Sequence, residues 1–296
     1  MFGKYLGPLA LLLSACATAS APQASAPEFA AWAAQCEDWD DWDKPGPPFR
    51  IHGNSYYVGT CGIGAILVSS DSGLMLIDSG TEAGAQAVLA NVHALGFDPA
   101  DIRILLTSHE HYDHVGGMAV LQQTTGAPLF TSQAALEVMR SGHGAASDPQ
   151  SGMHPAMRPV VDVTGLAPGQ QVRLLNDPLV LTSIPTPGHT PGALSWQWES
   201  CDGSDCRTIV YADSMSPISA DSYRFSDHPE YVQAYREGIA RVATLDCDIL
   251  LTPHPSASGM RDKLLSQDLA SGTNCRDYAA SITQRLDARL AQEAAQ

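Results

Sequence analysis

Metal-ligating side chains are concentrated in one short segment, residues 107–117. It contains His109, His111, Asp113 and His114, so three imidazoles and the carboxylate of an aspartate fall within six residues. Neutral histidine nitrogen and aspartate oxygen are ligands that zinc and similar ions prefer. Burying these polar groups together without an ion would leave several of them unpaired, which costs free energy. The segment is therefore predicted to bind metal.

The sequence around this cluster indicates how its side chains are positioned. Residues 102–107 are mostly aliphatic, as in a buried strand, and residues 118–123 follow a Gly-Gly pair and are predicted to form a helix. Residues two apart in an extended segment point to the same side. The first two histidines of the cluster can therefore bind one ion, whereas the aspartate and the last histidine are free to bind a second.

Two further histidines stand in similar surroundings. His189 lies in the sequence PGHTPG after the apolar run 179–184, and His254 lies in TPHP after the apolar run 247–250. Prolines restrict the backbone angles and glycines permit close approach, which suits a ligand that must be held in place. Five histidines and one aspartate make six donors, enough for two ions and coordinated water.

The H-x-H-x-D-H signature, the histidine of PGHTPG and the histidine of TPHP resemble the metallo-β-lactamase superfamily. The complete set is similar to its subclass B3, and the resemblance covers roughly residues 36–290. It implies a four-layer αββα sandwich of the α/β class with two zinc ions at one edge. One zinc is then held by His109, His111 and His189, and the other by Asp113, His114 and His254.

The resemblance also implies the reaction. It is zinc-dependent hydrolysis of the β-lactam amide bond in penicillins, cephalosporins and carbapenems, which confers antibiotic resistance. A metal-bound hydroxide oriented by Asp113 attacks the carbonyl, so no serine nucleophile is required. The alternatives are a dizinc hydrolase of another ester, lactone or thioester, and a zinc-holding lipoprotein without enzymatic activity.

Asp78 is a candidate for the outer shell of the centre. It ends the apolar run 74–77, and the resemblance implies that it orients a ligand histidine. The alternative is that Asp78 caps a helix beginning near Thr81.

The sequence YADSMS contains the candidate substrate contacts. The resemblance implies that Ser214 and Ser216 bind the substrate carboxylate, a role that lysine has in some relatives; alternatively, the two serines only satisfy loop backbone. If Asp213 instead bridges the metals, a phosphodiesterase or thioesterase is favoured. Gln150, in the loop after Asp148, is a further candidate contact, although a solvated loop glutamine fits equally well.

The other five histidines lack comparable surroundings. For each of them a surface or capping role is predicted rather than metal binding. They are His52, His93, His143, His154 and His228.

The first residues resemble a bacterial secretion signal. Lys4 precedes an apolar run over residues 6–13 that is too short to span a membrane, and the small residues before Cys16 resemble a lipobox. Residues 1–15 are then a signal peptide, Cys16 is lipidated, and residues 16–35 form a flexible tether. The expected location is the periplasm, anchored at the outer membrane. Ordinary signal cleavage within residues 15–21 is the alternative.

Six further cysteines fit an oxidising compartment. Cys201 and Cys206 flank a turn between predicted strands at 194–199 and 208–211, which indicates a disulfide across a hairpin. The resemblance adds two more pairs, Cys247 with Cys275 and Cys36 with Cys61.

Without residues 1–15 the chain has 15 basic and 32 acidic residues, a formal charge of −17. Such a surface repels nucleic acid, which disfavours the nucleases of the superfamily. Helical patterns at 85–95, 232–242 and 278–290 alternate with short strands. Because no internal linker is evident, residues 36–296 are predicted to form one domain, with a monomer as the default.

Overall fold

The computed structural model describes residues 26–295, and its helices and strands alternate as expected for an α/β chain. The helices are α1 (Ala26–Gln35), α2 (Gly84–Ala94), α3 (Tyr112–Val115), α4 (Met118–Thr125), α5 (Leu136–Ser141), α6 (Pro229–Ala243), α7 (Met260–Leu265) and α8 (Cys275–Ala294). The strands are β1 (Phe49–His52), β2 (Ser55–Tyr57), β3 (Ile66–Ser70), β4 (Gly73–Ile77), β5 (Ile102–Leu106), β6 (Leu129–Ser132), β7 (Val163–Leu166), β8 (Gln171–Val172), β9 (Leu181–Pro185), β10 (Leu194–Asp202), β11 (Asp205–Tyr211) and β12 (Ile249–Leu251). The predicted signal peptide and lipidated Cys16 lie outside the described residues.

The strands form two sheets. One has seven strands in the order β1 to β7, and the other has five in the order β12-β11-β10-β9-β8. Strands β4 to β7 are parallel to one another, and β12 is parallel to β11. The carboxyl ends of parallel strands meet at one edge of a sheet, where ligand-binding loops collect.

The buried residues show how the layers pack. Met75 and Ile77 of β4 point into the core between the two sheets, whereas Leu74 and Leu76 point to the opposite face. This alternation is the period of two expected of a strand that is covered on both sides. Residues of α2 and α4 cover the outer face of the first sheet, and residues of α6 and α8 cover that of the second. The predicted four-layer αββα sandwich is thereby confirmed.

The amino-terminal helix corrects one prediction. The tether expected over residues 16–35 is wrong for its last ten residues, because these form α1. Phe29, Trp32 and Ala33 are buried, and the ring of Trp32 packs edge-on against Phe49 and Tyr57. The i, i+3, i+4 spacing of these apolar residues is the helical signal that an alanine-rich composition obscured.

Cysteine pairs connect distant parts of the chain. The structure joins the same pairs that were expected, and in the hairpin of β10 and β11 Cys201 lies directly opposite Cys206. The other two disulfides are Cys36–Cys61 and Cys247–Cys275. Within residues 26–295, no helix is long and apolar enough to span a membrane.

Candidate metal centre

The histidine cluster follows β5 at the carboxyl edge of the first sheet. His111 has an extended backbone, and the short helix α3 begins immediately after it and carries Asp113 and His114. The three imidazoles and the carboxylate of the cluster are buried, each 3% exposed or less. Because neither strand nor long helix constrains this junction, four polar side chains can point into one interior space.

The ligand atoms converge in two sets of three. Donor atoms of His109, His111 and His189 lie within 4.8 Å of one another, and so do those of His109, Asp113 and His114. Nε2 of His109, Oδ1 of Asp113 and both ring nitrogens of His114 are buried with no hydrogen-bond partner among the described residues. A buried unpaired polar atom costs roughly 1–3 kcal/mol. A metal ion would satisfy Nε2 of His109, Oδ1 of Asp113 and one ring nitrogen of His114, so these converging donors fit a metal site.

His254 approaches from the second sheet, just after β12. Its Nε2 lies 3.5 Å from Oδ2 of Asp113, and its ring centroid is 4.9 Å from that of His114. Its ring also faces Trp39 at 6.2 Å. The structure thus brings all six expected donors to one place. The division of Asp113, His114 and His254 to a second ion stays a prediction.

Electrostatics favour the ligating forms of three of these side chains. The exception is His114: burial would lower its pKa, but the carboxylate of Asp113 outweighs burial and raises that pKa, so this imidazole gives up a proton when it binds an ion. Burial lowers the pKa of His109 and His189 well below the usual value, so both imidazoles are neutral at pH 7. Burial alone would raise the pKa of Asp113, but the adjacent His114 outweighs it and holds that pKa well below the usual range. Neutral nitrogen and ionised oxygen are the donors that divalent ions need.

Three of the ligand rings have an acceptor behind them. Nδ1 of His189 lies 2.9 Å from the carbonyl oxygen of Ser216, and Nε2 of His111 lies 2.9 Å from Oδ2 of Asp148. Nδ1 of His109 lies 2.8 Å from Oδ1 of Asp213. Such contacts fix the tautomer and direct the other nitrogen at the ion.

Asp78 acts on the backbone of the centre. It accepts hydrogen bonds from the N–H and hydroxyl of Ser108 and from the hydroxyl of Tyr211. It therefore holds Ser108, whose hydroxyl lies 3.3 Å from Nδ1 of His109, so Asp78 acts on a ligand ring through this serine and not by direct contact. The capping alternative is wrong, since Thr81 rather than Asp78 accepts from the N–H at the start of α2.

Glu110, which the sequence did not single out, joins two ligand loops. Its buried carboxylate accepts from the hydroxyl of Thr190 at 2.7 Å and from the N–H of Gly192 at 2.8 Å. Burial raises the pKa of Glu110 to about 7. This side chain therefore ties the segment carrying His109 and His111 to the segment carrying His189.

A cavity of about 230 Å³ opens over the donors. The expected substrate contacts line it: Gln150, which is buried and not solvated, Ser214, and Ser216. Oγ of Ser214 is buried with no described partner, so it is free to bind a ligand. The remaining wall includes Trp39, Trp42, Ile218, Ala257 and Arg285.

The prediction made for the five other histidines is wrong for one of them, His154. Its ring stacks on His111 with centroids 4.2 Å apart, and its Nε2 is buried without a described partner. A surface or capping role is therefore wrong for His154. Neither His154 nor Asp148 had a sequence signal, because both lie in an irregular loop about forty residues after the cluster.

Comparison with known proteins agrees with this geometry. The family model described as the metallo-β-lactamase superfamily matches residues 58–254. Among curated proteins, the hydroxyacylglutathione hydrolase of Anaeromyxobacter dehalogenans (strain 2CP-C) is 33% identical over 133 residues, which is 45% of this chain. The chain spans 41% of the length of that relative.

Solved structures resemble the whole fold. The MIM-2 metallo-β-lactamase is 56% identical with a TM-score of 0.86, and the match covers 92% of this chain and 100% of that one. MIM-1 from Novosphingobium pentaromativorans is 48% identical, with a TM-score of 0.85 and coverage of 90% and 98%. MEM-A1, a subclass B3 metallo-β-lactamase isolated from a soil metagenome library, is 38% identical, with a TM-score of 0.82 and coverage of 86% and 99%.

Proposed function

The chain belongs to the metallo-β-lactamase superfamily, and we propose that it is a zinc-dependent β-lactamase of subclass B3 that confers resistance to β-lactam antibiotics. The carrying observation is the convergence of buried, unpartnered donors in a chain 56% identical to a metallo-β-lactamase over that protein's full length. The substrates are penicillins, cephalosporins and carbapenems.

Two zinc ions fit the donor set. His109, His111 and His189 would hold one ion, and Asp113, His114 and His254 the other. When bound, zinc polarises a carbonyl oxygen and lowers the pKa of a coordinated water to about 7. A chain that supplies these ligands needs no separate general base.

The protein's own contribution is to hold the ligands and orient the water. Ser216, Asp148 and Asp213 lie behind three of the ligand rings and keep each of them aimed inward. The carboxylate of Asp113 is ionised at neutral pH and presents one unpartnered oxygen to the interior. That oxygen can accept a hydrogen bond from a water molecule and so orient the water toward the cavity.

Substrate binding is assigned to the cavity wall. Ser214, Ser216 and Gln150 offer hydrogen bonds to the carboxylate and amide groups that β-lactams carry. Arg285 is the only lysine or arginine among the described lining residues, and no described carboxylate pairs with it. The chain has a net charge of −16, so most of its surface repels anions. The cation of Arg285 offsets this repulsion at the cavity and favours binding of an anionic substrate.

The test is hydrolysis of nitrocefin, a chromogenic cephalosporin, by the purified chain. Turnover should vanish with EDTA and return when zinc is added. The variant His189→Ala should lose both activity and one equivalent of bound zinc, whereas His143→Ala, which alters an exposed histidine, should keep both. A chelated enzyme that retains full turnover would contradict the proposal.

One alternative has a specific observation in its favour, the local similarity to hydroxyacylglutathione hydrolases. It would mean a dizinc hydrolase of another ester, lactone or thioester. This alternative would be favoured if Asp213 bridged the metals. Its carboxylate instead faces Nδ1 of His109, whereas the unpartnered Nε2 of that ring is the nitrogen free for metal. Failure with every β-lactam and turnover of a thioester or lactone would establish this alternative.

We also propose export to the periplasm with a lipid on Cys16. The three disulfides support an oxidising compartment. Labelled palmitate should be incorporated into the chain in bacteria and lost in Cys16→Ser. Soluble, unlabelled wild-type protein would refute the lipid anchor.

A further inference from the structure

Two buried tyrosines hold the peptide backbone around the candidate substrate serines. The hydroxyl of Tyr278, on α8, lies 2.8 Å from the carbonyl oxygen of Asp213 and 2.5 Å from that of Ser214. The hydroxyl of Tyr235, on α6, donates to the carbonyl oxygen of Met215. Both tyrosines are 2% exposed or less. The two helices that cover the second sheet therefore fix three consecutive residues of the YADSMS loop.

The turn held by these bonds is strained. Met215 has a φ of +46°, in the left-handed region that residues with a Cβ rarely adopt. Such a conformation costs free energy and persists only where the surroundings impose it. The N–H of Met215 donates to Oδ2 of Asp213 at 3.1 Å, and its side chain is buried in one core cluster with residues of α6 and α8. The tyrosine hydroxyls add to the contacts that impose the turn.

This turn determines where the hydroxyl of Ser214 points. The carbonyl of Ser214 is anchored at Tyr278, while its Oγ is buried with no described partner in a residue that lines the cavity. A buried hydroxyl without a partner is costly, so a relaxed backbone would let it turn to a nearby peptide group. Neither tyrosine is among the described residues that line the cavity. Any effect of the tyrosines on a substrate must therefore pass through the backbone that they hold.

We propose that Tyr278 and Tyr235 are positioning residues for substrate recognition, which hold the left-handed turn at Met215 and so keep the hydroxyl of Ser214 aimed at the carboxylate of a β-lactam. This proposal rests on the function proposed above. It assigns to α6 and α8 a part in choosing the substrate, although both helices lie on the far side of the second sheet from the first.

The experiment measures hydrolysis of a cephalosporin and of its carboxylate ester by zinc-loaded, full-length chains. Tyr278→Phe removes the donor and keeps the ring. It should raise KM for the free acid by about 3–10-fold, with little change in kcat or in the kinetics of the ester, because one hydrogen bond to the substrate is weakened. Tyr235→Phe should act in the same direction.

Tyr57→Phe is the matched control. The hydroxyl of Tyr57 also contacts two loop carbonyls, those of Thr60 and Ile63, and its ring is buried in the core between the sheets. Removing this hydroxyl should leave the relative rates on acid and ester unchanged.

A double-mutant cycle asks whether Tyr278 acts through Ser214. Ser214→Ala alone should raise KM for the acid, and adding Tyr278→Phe should change KM by less than about 2-fold, because residues that act through one contact are not additive. Bound zinc, measured by elemental analysis, should equal that of wild type in every variant. If Tyr278→Phe is too unstable to purify, Tyr235→Phe carries the same cycle.

Equal losses on acid and ester, additive effects in the cycle, or loss of bound zinc in Tyr278→Phe would overturn this inference and leave the proposed function standing. An unchanged KM in both α6 and α8 variants would do the same, as would a selective loss reproduced by Tyr57→Phe. A zinc-loaded wild type that hydrolyses no β-lactam would overturn both proposals.

Discussion

Glu110 offers a direct test of how the ligand loops are held together. Replacing it with alanine removes the acceptor for the hydroxyl of Thr190 and for the N–H of Gly192. Burial raises the pKa of Glu110 to about 7, so its carboxyl group is only partly ionised at neutral pH. Each of the two hydrogen bonds should therefore contribute a free energy between that of a bond to a neutral group and that of a bond to a charged group, about 1–2 kcal/mol. Glu110→Ala should therefore lower the free energy of unfolding by about 2–4 kcal/mol.

Metal affinity should fall together with stability. The two bonds position the loop that carries His189, and disturbing an outer-shell contact of this kind typically costs about 10–100-fold in affinity. Glu110→Gln should lose less than half as much on both measures, since its amide oxygen still accepts from Gly192 and its NH2 can donate to Thr190. Gly192→Ala perturbs the same contact from the other side, because the added Cβ would lie 2.7 Å from both carboxylate oxygens.

The assays are urea unfolding in EDTA, which isolates the metal-free fold, and zinc competition against a chromophoric chelator. A Glu110→Ala chain that unfolds like wild type in EDTA would refute the bond energies. A destabilised chain with wild-type zinc affinity would refute the link between this contact and the centre.

Three further substitutions probe separate parts of the structure. Asp148→Ala should weaken zinc binding by about 10–100-fold in a chelator competition, because Nε2 of His111 loses its partner at 2.9 Å; unchanged affinity would show that the ring is held otherwise. Arg285→Ala should raise KM for nitrocefin by about 3–10-fold with little change in kcat and no effect on a carboxylate-esterified cephalosporin, and an equal loss in Arg276→Ala would point to surface charge alone. Burial lowers the pKa of Lys263 to about 8, so the unfolded chain binds more protons between pH 8 and 10.5 and the contribution of this lysine to stability rises with pH. The unfolding free energy of wild type minus that of Lys263→Met should thus increase by about 2–3 kcal/mol from pH 8 to pH 10, and a flat difference in denaturant titrations would contradict the shift.

The six donors were readable from the sequence because each stands in a distinctive local pattern. A histidine after an apolar strand, flanked by proline and glycine, marks the carboxyl edge of a sheet whatever the rest of the fold does. The hairpin disulfide was readable for a similar reason, since its cysteines are close in sequence and the turn fixes which residues face each other. Periodic patterns likewise located α2, α6 and α8 to within a few residues.

The side chains that support the donors were not readable. Asp148 and His154 reach His111 because an irregular loop folds back over the centre, and no periodicity encodes that path. Glu110 was hidden for another reason: its position between two ligands suggested a spacer, and its partners lie 80 and 82 residues later in the chain. Local patterns identify which residues can bind metal, whereas the long-range fold determines which others hold them.

The segment after α1 forms part of the cavity although it lies far from the donors in sequence. Cys36–Cys61 ties this segment to the first sheet, the N–H of Trp39 bonds to the hydroxyl of Ser256, and Trp39 and Trp42 face the opening. Neither tryptophan supplies a ligand atom, and no described ring contact joins Trp42 to a ligand histidine, so mutations at Trp42 can reshape the opening with less effect on zinc affinity than mutations at Trp39, whose ring faces His254. Adaptation to a new antibiotic can therefore begin near the amino terminus, in a stretch that a comparison of ligand motifs alone would overlook.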